Sequence, residues 1–235
     1  MNFFHRFLGI FFNPEPTFQA LSKKPFWVDA LILILIASAI FSYIQAPYSK
    51  QDTLRLMKNN VQLKEKLGEE RFNQMLDRVK DTSPPTLFLR SFLLSPLSAL
   101  MGFLLSSLIL MGLGRFISGE GHYVQVFSAY VHAHFVDKIL GNAVRLFLII
   151  SQKSALSVTT SVALFFPQME ITSPLFVVLS QVDFFQLWLF GILGFGLSWV
   201  FQVHIRKALF LSYGFWLLQS LFFIALGLLS SQFFT

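Results

Sequence analysis

The stretch ALILILIASAIFSYI, residues 30–44, consists of aliphatic, small and aromatic residues and contains no charged side chain. The hydrocarbon core of a bilayer is about 30 Å thick, and a helix of about 20 predominantly apolar residues crosses it. The mostly apolar run around this stretch covers residues 26–46. We therefore predict a first membrane span at residues 26–46.

The composition of the whole chain is that of a protein embedded in a membrane. Of its 235 residues, 54% are hydrophobic, 13% are charged and 30 are phenylalanine, and the mean hydropathy is +0.63. A water-soluble domain does not tolerate so much apolar surface. The net charge of +6 would also suit nucleic acid, but no nucleic-acid-binding motif accompanies it, so we expect no such partner. The absence of cysteine excludes disulfides and thiolate metal sites.

Four further apolar stretches predict further membrane spans. They cover residues 87–113, 124–150, 184–203 and 208–229. A short turn containing HIRK joins the last two, which we therefore expect to be antiparallel neighbours. The predicted fold is all-α and has a single domain over residues 1–235. It is a polytopic membrane helical bundle with five transmembrane helices, an N-terminal interfacial helix and a helical first loop.

Residues 1–25 form the predicted N-terminal segment at the membrane surface. Phe3, Phe7 and Phe11 recur at helical spacing, with further apolar residues beside them. A short helix with this pattern lies in the membrane interface and turns its polar side to water. We therefore expect Arg6 to face water.

The predicted first loop, residues 48–86, differs in kind from the spans. Basic and acidic residues are mixed there with a recurrent apolar set, which predicts an amphipathic helix or helical hairpin, with Gly68 as its break. One interpretation is a solvated helical face packed on the bundle, and the other is a docking surface for a partner. Basic residues also occur in the short segments on the N-terminal side of the membrane, which is the side opposite the first loop. They favour a cytoplasmic N-terminus.

Small residues recur along two of the predicted spans. Lipid provides no hydrophobic force between helices, so close backbone approach through small residues supplies much of the packing. We therefore predict that two strips of small residues hold helices together, within the bundle or between two copies of the chain. The residues are Ser98, Gly102 and Ser106 in the second span, and Gly191, Gly194 and Ser198 in the fourth.

Residues 151–182 predict an unusual loop between the third and fourth spans. They contain SALSVTTSVALFFP, which is too short to cross a bilayer and too apolar for an ordinary solvated loop. We predict a re-entrant or surface-lying segment folded over the bundle. Such a segment would close one mouth of any cavity that the third span lines.

The third predicted span contains AYVHAHFVDKILGNAVRLFLII, residues 129–150, and carries ionisable groups near its centre. Each unpaired charge at that depth costs about 2.5 to 3.5 kcal/mol. Three interpretations remain open: a structural polar seam facing the bundle interior, an interfacial position with snorkelling basic side chains, or a ligand or ion site. The candidate intramembrane polar cluster is His134, Asp137, Lys138, Asn142 and Arg145.

No catalytic, cofactor or metal site is indicated by the sequence. His132 and His134 fall on different helical faces, and His134 with Asp137 lacks a third ligand, so the metal-binding pattern is weak. The chain contains neither H-E-x-x-H nor G-x-S-x-G, and no glycine-rich phosphate loop follows a strand. We therefore expect no enzymatic activity and no cofactor.

Four motifs follow one another along the chain. They are FFNPEPTFQALSKKPFW (residues 11–27), GEGHYVQVFSAYV (119–131), SALSVTTSVALFFP (154–167) and LSQVDFFQLWLFGILGFGLS (179–198). Together with the charged first loop, their order resembles a bacterial member of the Yip1 domain family, and the likeness covers nearly the whole chain. The residues that carry the resemblance are Asn13, Pro14 and Phe18, and Asp183, Phe184 and Trp188 with Gly194.

The resemblance implies a five-span bundle with a cytoplasmic N-terminus, and it implies no catalysis. Eukaryotic relatives are associated with Rab-type GTPases and vesicle membranes, whereas some bacterial members look like accessory proteins of ABC-type exporters. No Rab-contacting motif carries over to this sequence. Asp137, Lys138 and Arg145 depart from the small or apolar residues that relatives tend to have in this region.

Two classes of function are predicted. The favoured one is a non-enzymatic membrane scaffold or accessory subunit, which binds another membrane protein, such as an ABC-type transporter, or a second copy of itself. The alternative is a small transporter, or a lipid- or ion-binding protein, that uses the polar stripe of the third span. The expected location is the bacterial cytoplasmic membrane, where the lipid bilayer surrounds the spans of a multi-pass protein.

Overall fold

A computed structural model gives the fold over residues 1–156, 158–171 and 173–232. This described part of the chain is predominantly helical, with no strands and one isolated antiparallel β-bridge, between Ser161 and Asp183. Two π-helical segments, Arg90–Leu94 and Phe135–Gly141, and one 3-10 helix, Val162–Phe165, lie between α-helices. The α-helices are α1 (Phe3–Phe12), α2 (Pro14–Lys23), α3 (Val28–Asn59), α4 (Val61–Leu67), α5 (Glu69–Lys80), α6 (Pro84–Leu89), α7 (Ser95–Arg115), α8 (Tyr123–Ala133), α9 (Asn142–Gln152), α10 (Pro174–Ser180), α11 (Phe184–Phe201) and α12 (Ile205–Gln232).

Four helices in the described part of the chain are long and apolar enough to cross a membrane. They are Val28–Asn59, Pro84–Arg115, Phe184–Phe201 and Ile205–Leu229. The second of these is continuous through α6, the first π-helical segment and α7. They correspond to the first, second, fourth and fifth predicted spans, so the prediction of an all-α membrane protein is confirmed.

The third predicted span, residues 124–150, is helical but interrupted. Helix α8 ends at Ala133, and a turn at His134 precedes the π-helical segment Phe135–Gly141 and helix α9. The ψ of His134 is −6°, whereas an α-helical residue has a ψ near −42°. Because this turn divides the stretch, no single α-helix here reaches the length of a span, and a fifth span stays a prediction.

Helix α8 lies in the centre of the bundle. All of residues 126–133 are buried, and the helix packs against α2, α7 and α11. Helix α11 in turn contacts both α2 and α12. Gly196 permits these close contacts, because a Cβ at this position would lie 2.9 Å from Ala129 Cβ and 3.0 Å from the ring of Phe18. The core therefore forms around α8 and α11.

The N-terminal helix α1 packs against the core. The rings of Phe3 and Phe7 lie 6.2 and 5.0 Å from the ring of Phe135, measured between centroids. Arg6 is 5% exposed and forms an ion pair with Asp29, in the first turn of α3. The prediction that Arg6 faces water is therefore wrong. Helical spacing within α1 does not reveal Asp29, which gives the guanidinium a partner inside the protein.

The predicted helical loop begins within α3. This helix passes Pro47 without ending and reaches Asn59, whereas the predicted first span ends at residue 46. Helices α4 and α5 follow and meet at Gly68, whose φ of 76° lies in the region that favours glycine. A small separate core joins these helices to the end of α3. Its buried residues are Met57, Phe72 and Leu76.

The segment predicted as an apolar loop, residues 151–182, is tied to the extension of α3. The carboxylate of Asp52 accepts hydrogen bonds from the backbone N–H groups of Ala155, at 2.7 Å, and Leu156, at 3.0 Å. Asp52 is 4% exposed. The contact fixes the start of the segment beside the first long helix, and a re-entrant position of the segment in the membrane stays a prediction.

Candidate functional site

A network of ion pairs surrounds Asp137, in the π-helical segment Phe135–Gly141. Asp137 is 1% exposed. Its two carboxylate oxygens have different partners, because Oδ2 lies 2.9 Å from Lys138 Nζ and Oδ1 accepts a hydrogen bond from Arg145 Nη1 at 2.8 Å. A buried carboxylate requires such partners, since an unpaired charge in an apolar environment is strongly unfavourable.

Arg145, on α9, connects the largest number of groups in this network. Its Nη2 lies 3.1 Å from Asp183 Oδ1, and its Nε donates to the hydroxyl of Thr160 at 3.1 Å. Nη1 also donates to Asn142 Oδ1 at 3.3 Å. The guanidinium lies over the ring of Phe185, 5.5 Å from its centroid. One planar cation therefore joins α9 to the π-helical segment, the following loop and α11.

Asp183 connects the network to the start of α11. Its Oδ1 accepts hydrogen bonds from the N–H groups of Phe185, at 2.8 Å, and Gln186, at 3.1 Å, so Asp183 is the N-cap of this helix. Thr160 donates its hydroxyl to Asp183 Oδ2. The backbone reinforces this contact, because the N–H of Phe184 donates to the carbonyl of Thr160 at 3.1 Å.

The four ionised side chains of the network balance one another in charge. Two carboxylates, Asp137 and Asp183, face two cations, Lys138 and Arg145. The Lys138 side chain is 32% exposed, whereas that of Asp137 is 2% exposed. Of the three predicted interpretations, this geometry favours a polar seam facing the bundle interior, with Lys138 at its outer edge.

The structure brings together four of the five residues in the predicted polar cluster. These are Asp137, Lys138, Asn142 and Arg145. The side chain of His134 has other partners: its Nδ1 donates to the carbonyl of Tyr130 at 2.8 Å, and its ring packs against Phe103. The π-helical segment explains the difference, because its i→i+5 hydrogen bonds change which side chains share a helical face.

Two partners in the network are not revealed by spacing along the third span. Asp183 carries the family resemblance in the sequence, but nothing in that motif assigns it to Arg145. Thr160 lies in the predicted apolar loop. An acidic residue immediately before an apolar helix is a signature of an N-cap, and a buried arginine requires acidic partners. These two signals together would have suggested Asp183.

A cavity of about 310 Å³ adjoins the network. Lys138 and Arg145 line one side of it, and Gln219 and Ser220 of α12 contribute further polar groups. Converging polar side chains in a cavity of this kind suit water or a small polar ligand. Among the described residues, no group of three or more His, Asp or Glu side chains is placed to hold a metal ion.

The small-residue strip of the fourth span packs against α12. A Cβ on Gly194 would lie 2.5 Å from Leu209 Cδ2, and a Cβ on Gly191 would lie 3.0 Å from a tyrosine hydroxyl of α12. Ser198 donates its hydroxyl to the carbonyl of Val203 at 2.7 Å. The first two residues therefore permit close approach of α11 and α12, while Ser198 closes the turn between them.

The small-residue strip of the second span is only partly used within the chain. Ser106 accepts a hydrogen bond from the side-chain amide of Gln219, on α12, at 3.1 Å. Ser98 and Gly102 are exposed. Within the part of the chain that the structure describes, and apart from the adjoining residues and the backbone of the same helix turns, no heavy atom lies within 4 Å of a Cβ built on Gly102. This end of the strip is therefore open to the surroundings of the bundle.

The remaining residues that carry the family resemblance lie along α2 and at the start of α11. Asn13 occupies the N-cap position of α2 without a side-chain cap hydrogen bond, and Pro14 follows in the first turn. Phe18 is buried in the core, and Trp188 contacts a phenylalanine of α1. Phe184, in contrast, is 62% exposed. Asp183 thus belongs to the ion-pair network, and Phe18 belongs to the hydrophobic core.

Comparison with known proteins gives one match. The sequence model of the Yip1 domain matches residues 8–227. No curated protein and no solved structure matches the chain. The matched range extends from α1 into α12 and includes every residue that carries the resemblance in the sequence. The prediction of the family is confirmed, and the chain belongs to the Yip1 domain family.

Proposed function

We propose that this protein is a non-enzymatic integral membrane scaffold or accessory subunit that binds another membrane protein through its second span. The observation that carries the proposal is the open end of the small-residue strip, Ser98 and Gly102, on the exposed side of α7. Small residues four apart on a membrane helix allow a second helix to approach its backbone closely. An ABC-type exporter is the proposed partner class, on the basis of the family resemblance, and a second copy of the chain is the other candidate.

The ion-pair network supports a structural role for the bundle. Its two carboxylates and two cations satisfy one another. Through Arg145 they connect three separate parts of the chain. A fully paired polar network inside a protein makes one arrangement of the surrounding elements favourable over others. A bundle held in one arrangement presents a fixed surface to a partner.

The proposal includes a topology. Residues 123–152 cross the membrane as a fifth, interrupted span, since their combined helical length is sufficient for a bilayer. Helix α1 lies at the membrane interface, which is supported by its exposed Phe4 and Phe12. The N-terminus is cytoplasmic, as the basic residues near it favour. We place the protein in the cytoplasmic membrane of a bacterium, in keeping with the resemblance.

The variant Gly102→Leu tests the proposed partner surface. We expect the amount of membrane protein that copurifies in mild detergent, or of the dimer, to fall about tenfold, because a leucine side chain holds a partner helix away. The fold should be retained, since the position has open space around it. Gly112→Leu is the matched control, because Gly112 is also exposed on α7 with open space. An unchanged yield of partner with Gly102→Leu contradicts the proposal.

A small transporter, or a lipid- or ion-binding protein, is the second candidate function. The observation that favours it is the cavity beside the network, where the partly exposed Lys138 faces polar side chains of α12. A polar cavity between membrane helices, lined by an ionisable group, is typical of substrate and ion sites in transporters. This function requires water to reach the cavity.

Thiol labelling tests access of water to this cavity. The chain has no cysteine, so a single Ser220→Cys substitution places one thiol in the cavity wall. If the cavity is filled from the aqueous phase, we expect this thiol to react with a membrane-impermeant maleimide in intact vesicles. Ser107→Cys is the control, because Ser107 is fully buried outside the cavity. Equal, negligible labelling of both variants contradicts the transporter function.

A further inference from the structure

A second and larger cavity, of about 710 Å³, lies beside the first two long helices, at the end that is away from α1. One wall is the part of α3 where the apolar run gives way to polar residues, around Ser49. The opposite wall is the π-helical segment Arg90–Leu94 with the start of α7, and α5 covers the space between them. The cavity therefore lies where the two spans leave the hydrocarbon.

The lining of this cavity is positively charged. It contains three basic residues, Lys50, Arg78 and Arg90, and no acidic residue. Lys50 donates to the backbone carbonyl of Lys80. Within the described part of the chain, neither arginine side chain forms an ion pair. Seven serine and threonine residues also line the cavity, and four of them, Ser42, Thr53, Thr82 and Ser98, already donate their hydroxyls within the chain. Guanidinium and hydroxyl groups together are suited to phosphate oxygens.

An apolar groove of about 550 Å³ adjoins the charged cavity and shares Thr82 and Leu87 with it. Aromatic residues lie beside this groove: the rings of Phe88 and Phe92 stack at 4.6 Å between centroids, and Tyr43 lies 5.7 Å from Phe92. Tyrosine is enriched at the boundary between hydrocarbon and headgroups, and Tyr43 and Tyr48 line the groove. The groove therefore lies at a depth where acyl chains meet headgroups.

We propose that the two adjoining spaces form a binding site for an anionic phospholipid. Its phosphate lies among Lys50, Arg78 and Arg90, and one acyl chain follows the apolar groove beside Tyr43. Three cations in a lining that contains no acidic residue favour an anionic headgroup over a zwitterionic one. The apolar continuation favours a lipid over free phosphate. This site uses other side chains than the ion-pair network. Ser98 of the proposed partner surface also lines the charged cavity, whereas Gly102, the residue replaced to test that surface, does not.

Lipid binding to the purified, delipidated full-length protein tests the site. In detergent micelles, we expect the protein to bind phosphatidylglycerol more tightly than phosphatidylcholine. Combining Arg78→Gln with Arg90→Gln should weaken phosphatidylglycerol binding about thirtyfold and leave phosphatidylcholine binding unchanged. Both arginines are exposed, so the variant should fold, which circular dichroism checks.

The control variant combines Lys66→Gln with Arg71→Gln, which removes the same charge from exposed positions of α4 and α5 outside the cavity. It should bind phosphatidylglycerol like the unaltered protein. Equal affinity for the two lipids, or the same loss in both double variants, overturns the proposal. Displacement of phosphatidylglycerol by millimolar inorganic phosphate also overturns it, because the cations would then recognise a soluble anion.

Discussion

Replacement of Arg145 by methionine is expected to lower the free energy of unfolding by about 3 to 5 kcal/mol. Methionine occupies a similar volume but removes the cation that Asp137 and Asp183 share. Asp137, which is almost completely buried, would retain only Lys138 as a charged partner. Unfolding in detergent micelles, followed by circular dichroism during titration with a denaturing detergent, measures the change.

Two further variants separate the role of the network from the general effect of losing a positive charge. Arg115→Met removes an exposed arginine at the end of α7 and should change stability by less than about 0.5 kcal/mol. Arg145→Lys retains the charge but not the planar fork that reaches several acceptors at once. Its free energy of unfolding should therefore lie between those of Arg145→Met and the unaltered protein. Equal stability of Arg145→Met and the unaltered protein would show that the network does not support the fold.

Replacement of Asp183 by alanine is expected to destabilise the protein by about 3 kcal/mol. Loss of the N-cap of α11 contributes about 1 kcal/mol. The loss of the charged hydrogen bonds with Arg145 and Thr160 contributes about another 2 kcal/mol. The same unfolding measurement in detergent micelles determines the total.

Asp183→Asn distinguishes these two contributions. Asparagine is a good N-cap, so this variant retains the hydrogen bonds to the first turn of α11 but loses the negative charge. We expect it to be more stable than Asp183→Ala by about 1 kcal/mol. Identical stability of the two variants would mean that the cap does not contribute, despite its hydrogen bonds to Phe185 and Gln186.

The membrane fold was predictable from the sequence because a helix that crosses a bilayer needs about 20 predominantly apolar residues. Residues 30–44 predict a crossing helix from length and apolarity alone, and α3 contains them. The same criterion does not locate the end of α3 at Asn59, because its last turns are amphipathic and resemble a separate helical loop. Apolar periodicity predicts helices well, but whether two adjoining helices are continuous depends on the backbone at a single residue.

The candidate site was predictable only in part. Asp137, Lys138 and Arg145 stand out because charges in an apolar helix require partners. The identity of those partners depends on tertiary contacts that join distant segments, and the positions of Asp183 and Thr160 follow from the folding of the loop over α9. For the same reason the spacing of residues does not reveal the buried carboxylate of Asp52.

The arrangement around Arg145 also has a consequence for biogenesis. Translation proceeds from the N-terminus, so the segment containing Asp137, Lys138 and Arg145 leaves the ribosome with one more cation than anions, ahead of Asp183. In the fifth span proposed above, that unpaired cation would cost about 2.5 to 3.5 kcal/mol at depth. With this topology, we expect the segment to take its final position in the bundle after α11 has been synthesised and Asp183 is present.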